Sequence, residues 1–254
     1  MAVRALPRRL RHGEEATLVE HLGELRSRIV ISLLTLAVGF GVAFAFHERL
    51  IRWLLHPLPA DKRNDIVTLG VTEPFLTSIK VSLYAAIALA LPVLLWQLWS
   101  FLAPALEESS QRLIAGFVAL GTVLFAGGIS FAYWIALPRA LHFLTNYDAE
   151  LYNQQIRASY YYSFAMLVLV GIAICFELPI FVLALVRIGI LTPGKLRRNR
   201  RIGYVLVLIL AVILPTVDPV SLAFEAIPLA LLFEGSIWLS VFFDRRWHPG
   251  GDEA

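Results

Sequence analysis

The sequence predicts an all-α membrane protein with six transmembrane helices, and three observations lead there. First, 58% of the 254 residues are hydrophobic and the mean hydropathy is +0.72, too apolar for an ordinary soluble domain. Second, the apolar residues fall into runs close to the ~20 helical residues that cross ~30 Å of hydrocarbon. Third, the 27-residue run from Tyr160 to Val186 carries one charged residue, Glu177, beside Gly171 and Pro179. A carboxylate in such a span costs roughly 2.5–3.5 kcal/mol to insert, so it must face protein or water. Cys175-Phe176-Glu177-Leu178-Pro179 therefore reads as a polar notch beside a kink. It is either a functional intramembrane group or one satisfied hydrogen bond holding the bundle.

Residues 1–16 form a basic, flexible tail with Arg4, Arg8, Arg9 and Arg11. Thr17-Leu18-Val19-Glu20 matches a capping box, and Leu18, Leu22, Leu25 and Ile29 follow at helical spacing. They predict an amphipathic helix at the membrane surface, ahead of a first span from Ile29 to Phe46. Residues His47 to Thr72 are an excursion in which Leu50, Ile51, Leu54 and Leu55 mark a short interfacial helix, ended by Pro57 and Pro59. Pro74 suits a first helical turn, and Phe75 to Phe101 form the second span. Lys80 snorkels from one end of that span, while Trp96 and Trp99 belt the other, close to Gln97.

Ala103 to Arg112 make a tight acidic connection holding Glu107 and Glu108. The third span runs from Leu113 to Leu137, and an exterior segment from Pro138 to Ser159 leads into the central Tyr160–Val186 helix. The connection from Arg187 to Arg201 is the most basic in the chain. Ile202 to Leu214 is apolar for only 13 residues, or ~20 Å of helix. Pro215 to Pro219 turn the chain, and Val220 to Phe243 return, interrupted by Glu225, Pro228 and Glu234. The last two helices are expected to be short. One membrane domain, residues 17–246, ends in a short tail, 247–254.

Six spans put both termini on one side, with fifteen of the 22 Lys and Arg residues. That side is cytoplasmic by the positive-inside rule. The lone Cys175 excludes an internal disulfide, and the six histidines, scattered among tails and interfaces, predict no metal cluster. No HExxH, GxSxG or Walker loop occurs, so no enzymatic activity is expected. Two readings remain. A proton- or ion-coupled secondary transporter would use a midplane carboxylate and broken helices. A receptor would use Glu24, Glu107 and Glu108 to grip guanidinium in bidentate geometry. Against the second, Glu24 has Arg28 four residues on and could simply pair with it.

Several separated motifs stand out: His21-Leu22-Gly23-Glu24-Leu25-Arg26-Ser27-Arg28, Trp99-Ser100-Phe101-Leu102-Ala103-Pro104-Ala105-Leu106 and Phe176-Glu177-Leu178-Pro179. The Asp218 turn and Ile227-Pro228-Leu229-Ala230-Leu231-Leu232-Phe233-Glu234 complete the set. In order and placement they resemble the TatC family, the multi-spanning core of the twin-arginine protein translocase. The resemblance implies a concave bundle in the cytoplasmic membrane of a prokaryote. It also implies export of folded proteins bearing Arg-Arg signal peptides, driven by the proton-motive force. The implied partners are those signal peptides, single-span TatA and TatB subunits, membrane lipid and further copies of the chain. No cofactor, metal or nucleic acid is expected.

By the same resemblance Glu24 contacts the signal arginines, and Arg26, Phe101 and Pro104 shape the site. Glu177, with Pro179 and Gln97, forms an intramembrane polar or docking site, while Pro57, Lys80 and Asp218 act structurally or outside the membrane. An N-cap for the final helix, with Pro219 following at N1, explains Asp218 equally well. One departure stands out. The family's second signal-binding Glu aligns with Ser110 here, so Glu107 or Glu108 is expected to supply the charge, or Glu24 to carry more of the load.

Overall fold

In the computed structural model the described residues are 18–102, 111–147, 149–151, 154–214 and 219–247. Five of their helical stretches are long and apolar enough to cross a membrane: Leu22–Ala45, Glu73–Leu102, Ile114–Asn146, Ala158–Arg187 and Leu222–Phe243.

Helix α1 runs unbroken from Leu18 to Ala45. The amphipathic lead-in is thus continuous with the first span rather than a separate surface helix. The stretch holds no proline, and its glycines, Gly23, Gly39 and Gly41, lower helix propensity without ending the helix. Thr17, the expected capping residue, lies outside the described residues. α1 packs mainly along α3 (Glu73–Leu102), and Leu33 and Val38 on its outer face stay exposed.

Helix α2 (His47–Leu55) is the expected interfacial helix, and it stops just before Pro57. Its terminal carbonyls lack the regular helical donors; the His56 amide reaches Trp53 O at 3.1 Å, and phenols add further donors. Tyr133 Oη donates to Trp53 O at 2.9 Å and Tyr161 Oη to Leu54 O at 2.5 Å. Trp53 also stacks flat on Tyr133, with centroids 3.9 Å apart. Arg63 closes the following turn by donating to His56 O and Leu58 O, at 2.6 and 3.0 Å. Beyond it, a parallel pair, β1 (Ile66–Val67) with β2 (Ile156–Arg157), ties the two long excursions together. Backbone pairing across so many residues leaves no pattern in a two-residue strand.

Helix α4 (Gln111–Phe131) also departs from the sequence reading, which ends the third span at Leu137. A π-helical turn, Ala132–Ala136, joins α4 to α5 (Leu137–Asn146), and the helical path continues through Pro138. A proline within the first turn of a renewed helix sacrifices no bond, and the wider π turn just before it absorbs the mismatch.

The central run divides into α6 (Ala158–Cys175) and α7 (Leu178–Arg187) at Phe176-Glu177. α4 crosses this break closely. A Cβ placed on Gly128 would lie 2.7 Å from Ala173 Cα, and one on Gly121 would lie 2.9 Å from Glu177 Oε2. At Gly128, where the opposing atom is backbone, only glycine fits; at Gly121 the opposing atoms are side-chain ends.

After α8 (Pro193–Arg198), capped by Thr192, α9 (Arg200–Ile213) has 14 residues and is short as expected. α10 (Pro219–Trp247) is not short: its 29 residues continue through Pro228. The proline removes one backbone bond, which a membrane helix tolerates when neighbours pack around it. Two apolar clusters form the core. One lies under α2 and includes Leu54, Leu137, Tyr161 and Leu169. The other, toward the opposite end, includes Leu95, Trp99, Phe117, Ile180 and Leu183. Glu177 falls where they meet.

Candidate functional site

The first polar locus forms where α1 passes the end of α3. Glu24 and Arg28 sit one turn apart on α1, and the Arg28 guanidinium donates through Nη2 to Glu24 Oε1. The same guanidinium reaches α3, with Nη2 3.1 Å from Ser100 O and Nη1 3.4 Å from Gln97 O. Ser100 O is available for a reason written in the sequence: its helical donor would be the amide of residue 104, and Pro104 has none. Arg28 is thus drawn in, 19% exposed at its side chain, while Glu24 remains 39% exposed. Glu24 Oε2 has no hydrogen bond among the described residues.

Of the other residues expected at this end, Arg26 is exposed and Phe101 half-buried, on the last turn of α3. Gln97 joins the Glu24 cluster through its carbonyl. Pro104, Glu107 and Glu108 lie outside the described residues, and so does Asp218. Lys80 is exposed on α3, and Pro57 is half-buried just past α2.

The second locus is the α6–α7 break. Glu177 is 3% exposed, and neither carboxylate oxygen has a hydrogen-bond partner among the described residues. Its side chain lies against the bare backbone of Gly121, with Pro179 buried beside it. An apolar groove of about 340 Å³ flanks the break, walled by Leu120 and Leu124 of α4, Phe176, Pro179, and Pro228 and Leu232 of α10. A carboxylate beside an apolar groove can accept a hydrogen bond from an apolar helix carrying one polar donor.

Two further carboxylates escaped the sequence reading as site candidates. Glu225 on α10 is 1% exposed; its place inside an apolar span was the available signal. Glu73, at the start of α3, accepts from Arg157 Nε at 3.0 Å, Ser159 N at 3.1 Å and Leu69 N at 2.9 Å. It clamps the β1–β2 pair to the starts of α3 and α6, and its hydrogen bond raises Arg157 above the usual arginine range. No sequence signal marks that clamp. Among the described residues, no three His, Cys, Asp or Glu side chains gather as a metal site would require.

These features sit on a chain with clear relatives. A family model described as Sec-independent protein translocase protein (TatC) matches residues 20–228. The TatC protein of Carboxydothermus hydrogenoformans is 35% identical over 235 residues, covering 92% of this chain and 96% of its own. That of Aquifex aeolicus is 36% identical over 233 residues, covering 90% and 96%. A crystal structure of the twin arginine translocase receptor TatC in DDM superposes with a TM-score of 0.76 at 34% identity, covering 87% of this chain and 99% of that one. The chain belongs to the TatC family, as a multi-pass inner-membrane component of the Sec-independent protein translocase and not an enzyme.

Proposed function

We propose that this protein is the receptor core of its translocase, binding Arg-Arg signal peptides at Glu24 on the cytoplasmic face. The observation that carries the reading is the half-exposed Glu24 carboxylate, fixed at the end of α3 with one oxygen open. Guanidinium pairs with carboxylate in fork geometry, and in this reading Arg26, Phe101 and Pro104 shape the site. In this reading six spans, counting the short α9, leave both termini cytoplasmic and form a concave bundle. Single-span TatA- and TatB-type subunits and further copies of the chain assemble around it in the lipid.

Glu177 and its groove then receive a partner helix, with Pro179 shaping the break, and export draws on the proton-motive force. Glu107 or Glu108 supplies the loop charge that Ser110 lacks, while Pro57, Lys80 and Asp218 support the opposite face. An ion-coupled transporter remains the second reading, favoured by the buried, unpartnered Glu177.

The test is binding of an Arg-Arg signal peptide and its Lys-Lys twin to the protein in nanodiscs. The Arg-Arg peptide should bind more tightly. Glu24→Ala should weaken it about 10–100-fold, the worth of a charge-assisted hydrogen bond. The paired change Glu107→Gln and Glu108→Gln should weaken it further. Equal binding of the twins, unmoved by Glu24→Ala, overturns the receptor reading.

A further inference from the structure

Glu24 is already engaged before any ligand arrives, and its partner is fixed from the other side. Arg28 holds Glu24 Oε1 while also donating to Ser100 O at 3.1 Å and Gln97 O at 3.4 Å. Two α3 carbonyls therefore keep the guanidinium in place whatever happens to Glu24. A ligand cation does not evict Arg28; it joins it.

That arrangement divides the attraction of Glu24 into two parts. The net charge of the Glu24–Arg28 pair is near zero, so long-range pull on any cation is largely cancelled. What stays open is directional: Oε2, unbonded among the described residues, and the second lone pair of Oε1. A carboxylate has about four acceptor positions, enough for Arg28 and for a two-pronged donor. Arginine presents such a fork. Lysine presents a compact point charge that depends on the cancelled part.

Resting on the receptor reading above, we propose that Arg28 is a specificity-determining residue. It neutralises and orients Glu24, so that an arginine-bearing signal is accepted and a lysine-bearing one is not. The order of events in sequence supports the same assignment. Pro104 withholds an amide from Ser100 O, and that carbonyl anchors Arg28.

The experiment compares dissociation constants of Arg-Arg and Lys-Lys signal peptides for wild type, Arg28→Gln and Arg28→Lys in nanodiscs. Glutamine keeps a side-chain N–H donor but carries no charge. In Arg28→Gln both peptides gain the uncancelled charge of Glu24, while the arginine fork also loses the oriented carboxylate; Lys-Lys binding should therefore tighten about tenfold and Arg-Arg binding move less than about threefold, so the preference collapses. Arg28→Lys, which restores the charge, should recover most of the preference.

An unchanged preference in Arg28→Gln overturns the proposal, and so does equal loss of both peptides, which would make Arg28 a mere tie between α1 and α3. Salt dependence tests the same idea at Glu24 itself. The factor by which Glu24→Ala weakens Arg-Arg binding should change less than about threefold between 0.05 and 0.5 M salt, because the Glu24–Arg28 pair has little net charge to screen; a steep fall in that factor overturns the proposal. Failure of the receptor reading looks different, since wild type itself would then show no arginine preference and no response to Glu24→Ala.

Discussion

Adding one methyl group at Gly128 tests how closely the bundle is packed around the α6–α7 break. A Cβ there would lie 2.7 Å from the Ala173 backbone and 3.0 Å from Phe176 Cβ, where ordinary contact begins at 3.4 Å. Backbone cannot rotate out of the way, so α4 and α6 must part by roughly 0.7 Å. Overpacking of this kind costs about 1–3 kcal/mol. The neighbouring Gly127 is a built-in control, because a Cβ there meets nothing within 4 Å. Both changes gain the same ~0.5–1 kcal/mol of helix propensity, so their difference isolates the packing term.

Gly128→Ala should therefore melt below Gly127→Ala by about 2–12 °C, taking ~2–4 °C per kcal/mol for a chain of this size. The assay is thermal unfolding in detergent, followed with a thiol-reactive dye. Cys175 is the only cysteine and lies two residues beyond Ala173, so the dye reports opening at the very crossing under test. Equal melting of the two variants would refute the close crossing. It would also remove the basis for a fixed Glu177 position.

Two other changes probe the buried and the clamped carboxylates. Glu177→Gln keeps an acceptor for a partner helix and should leave export of a reporter protein largely intact, whereas Glu177→Leu should abolish export. The Leu variant should also raise stability by about 1–3 kcal/mol, because it removes a buried, unsatisfied polar group; export lost equally in both would point to ionisation rather than docking. Glu73→Gln should speed hydrogen exchange at Leu69 and Ser159 while leaving Leu169 and Ile172 protected, and a uniform change along the chain would refute a local clamp.

Much of the fold could be read from local chemistry. Pro57 and Pro59 end α2, Pro74 opens α3, and Glu177 with Pro179 marks the break between α6 and α7, each through an effect confined to one turn. Pro138 misled because its effect depends on what precedes it: the Ala132–Ala136 π turn lets the helix pass. Pro228 misled similarly, since a proline inside a span removes one backbone bond without ending the helix, and α10 runs on to Trp247.

The site divides along the same line. Glu24 and Arg28 are one helical turn apart, so their pairing was visible as an alternative. The anchoring of Arg28 on Ser100 was not, because it crosses 72 positions in sequence. Glu73 and Arg157 are separated by 84, and only the tertiary fold chooses such partners.

The two phenols that cap α2 have a mechanical consequence. Tyr133 and Tyr161 fasten the small outer helix to the π turn and to α6, and Glu73 rivets the adjoining strands to two helix starts. Force applied at that end is shared among several helices rather than lost in a loop. At the other end, α1 is joined to α3 by packing along its length and by one guanidinium reaching two carbonyls. The polar fastenings are thus many and shared among elements at the α2 end, and single beside Glu24.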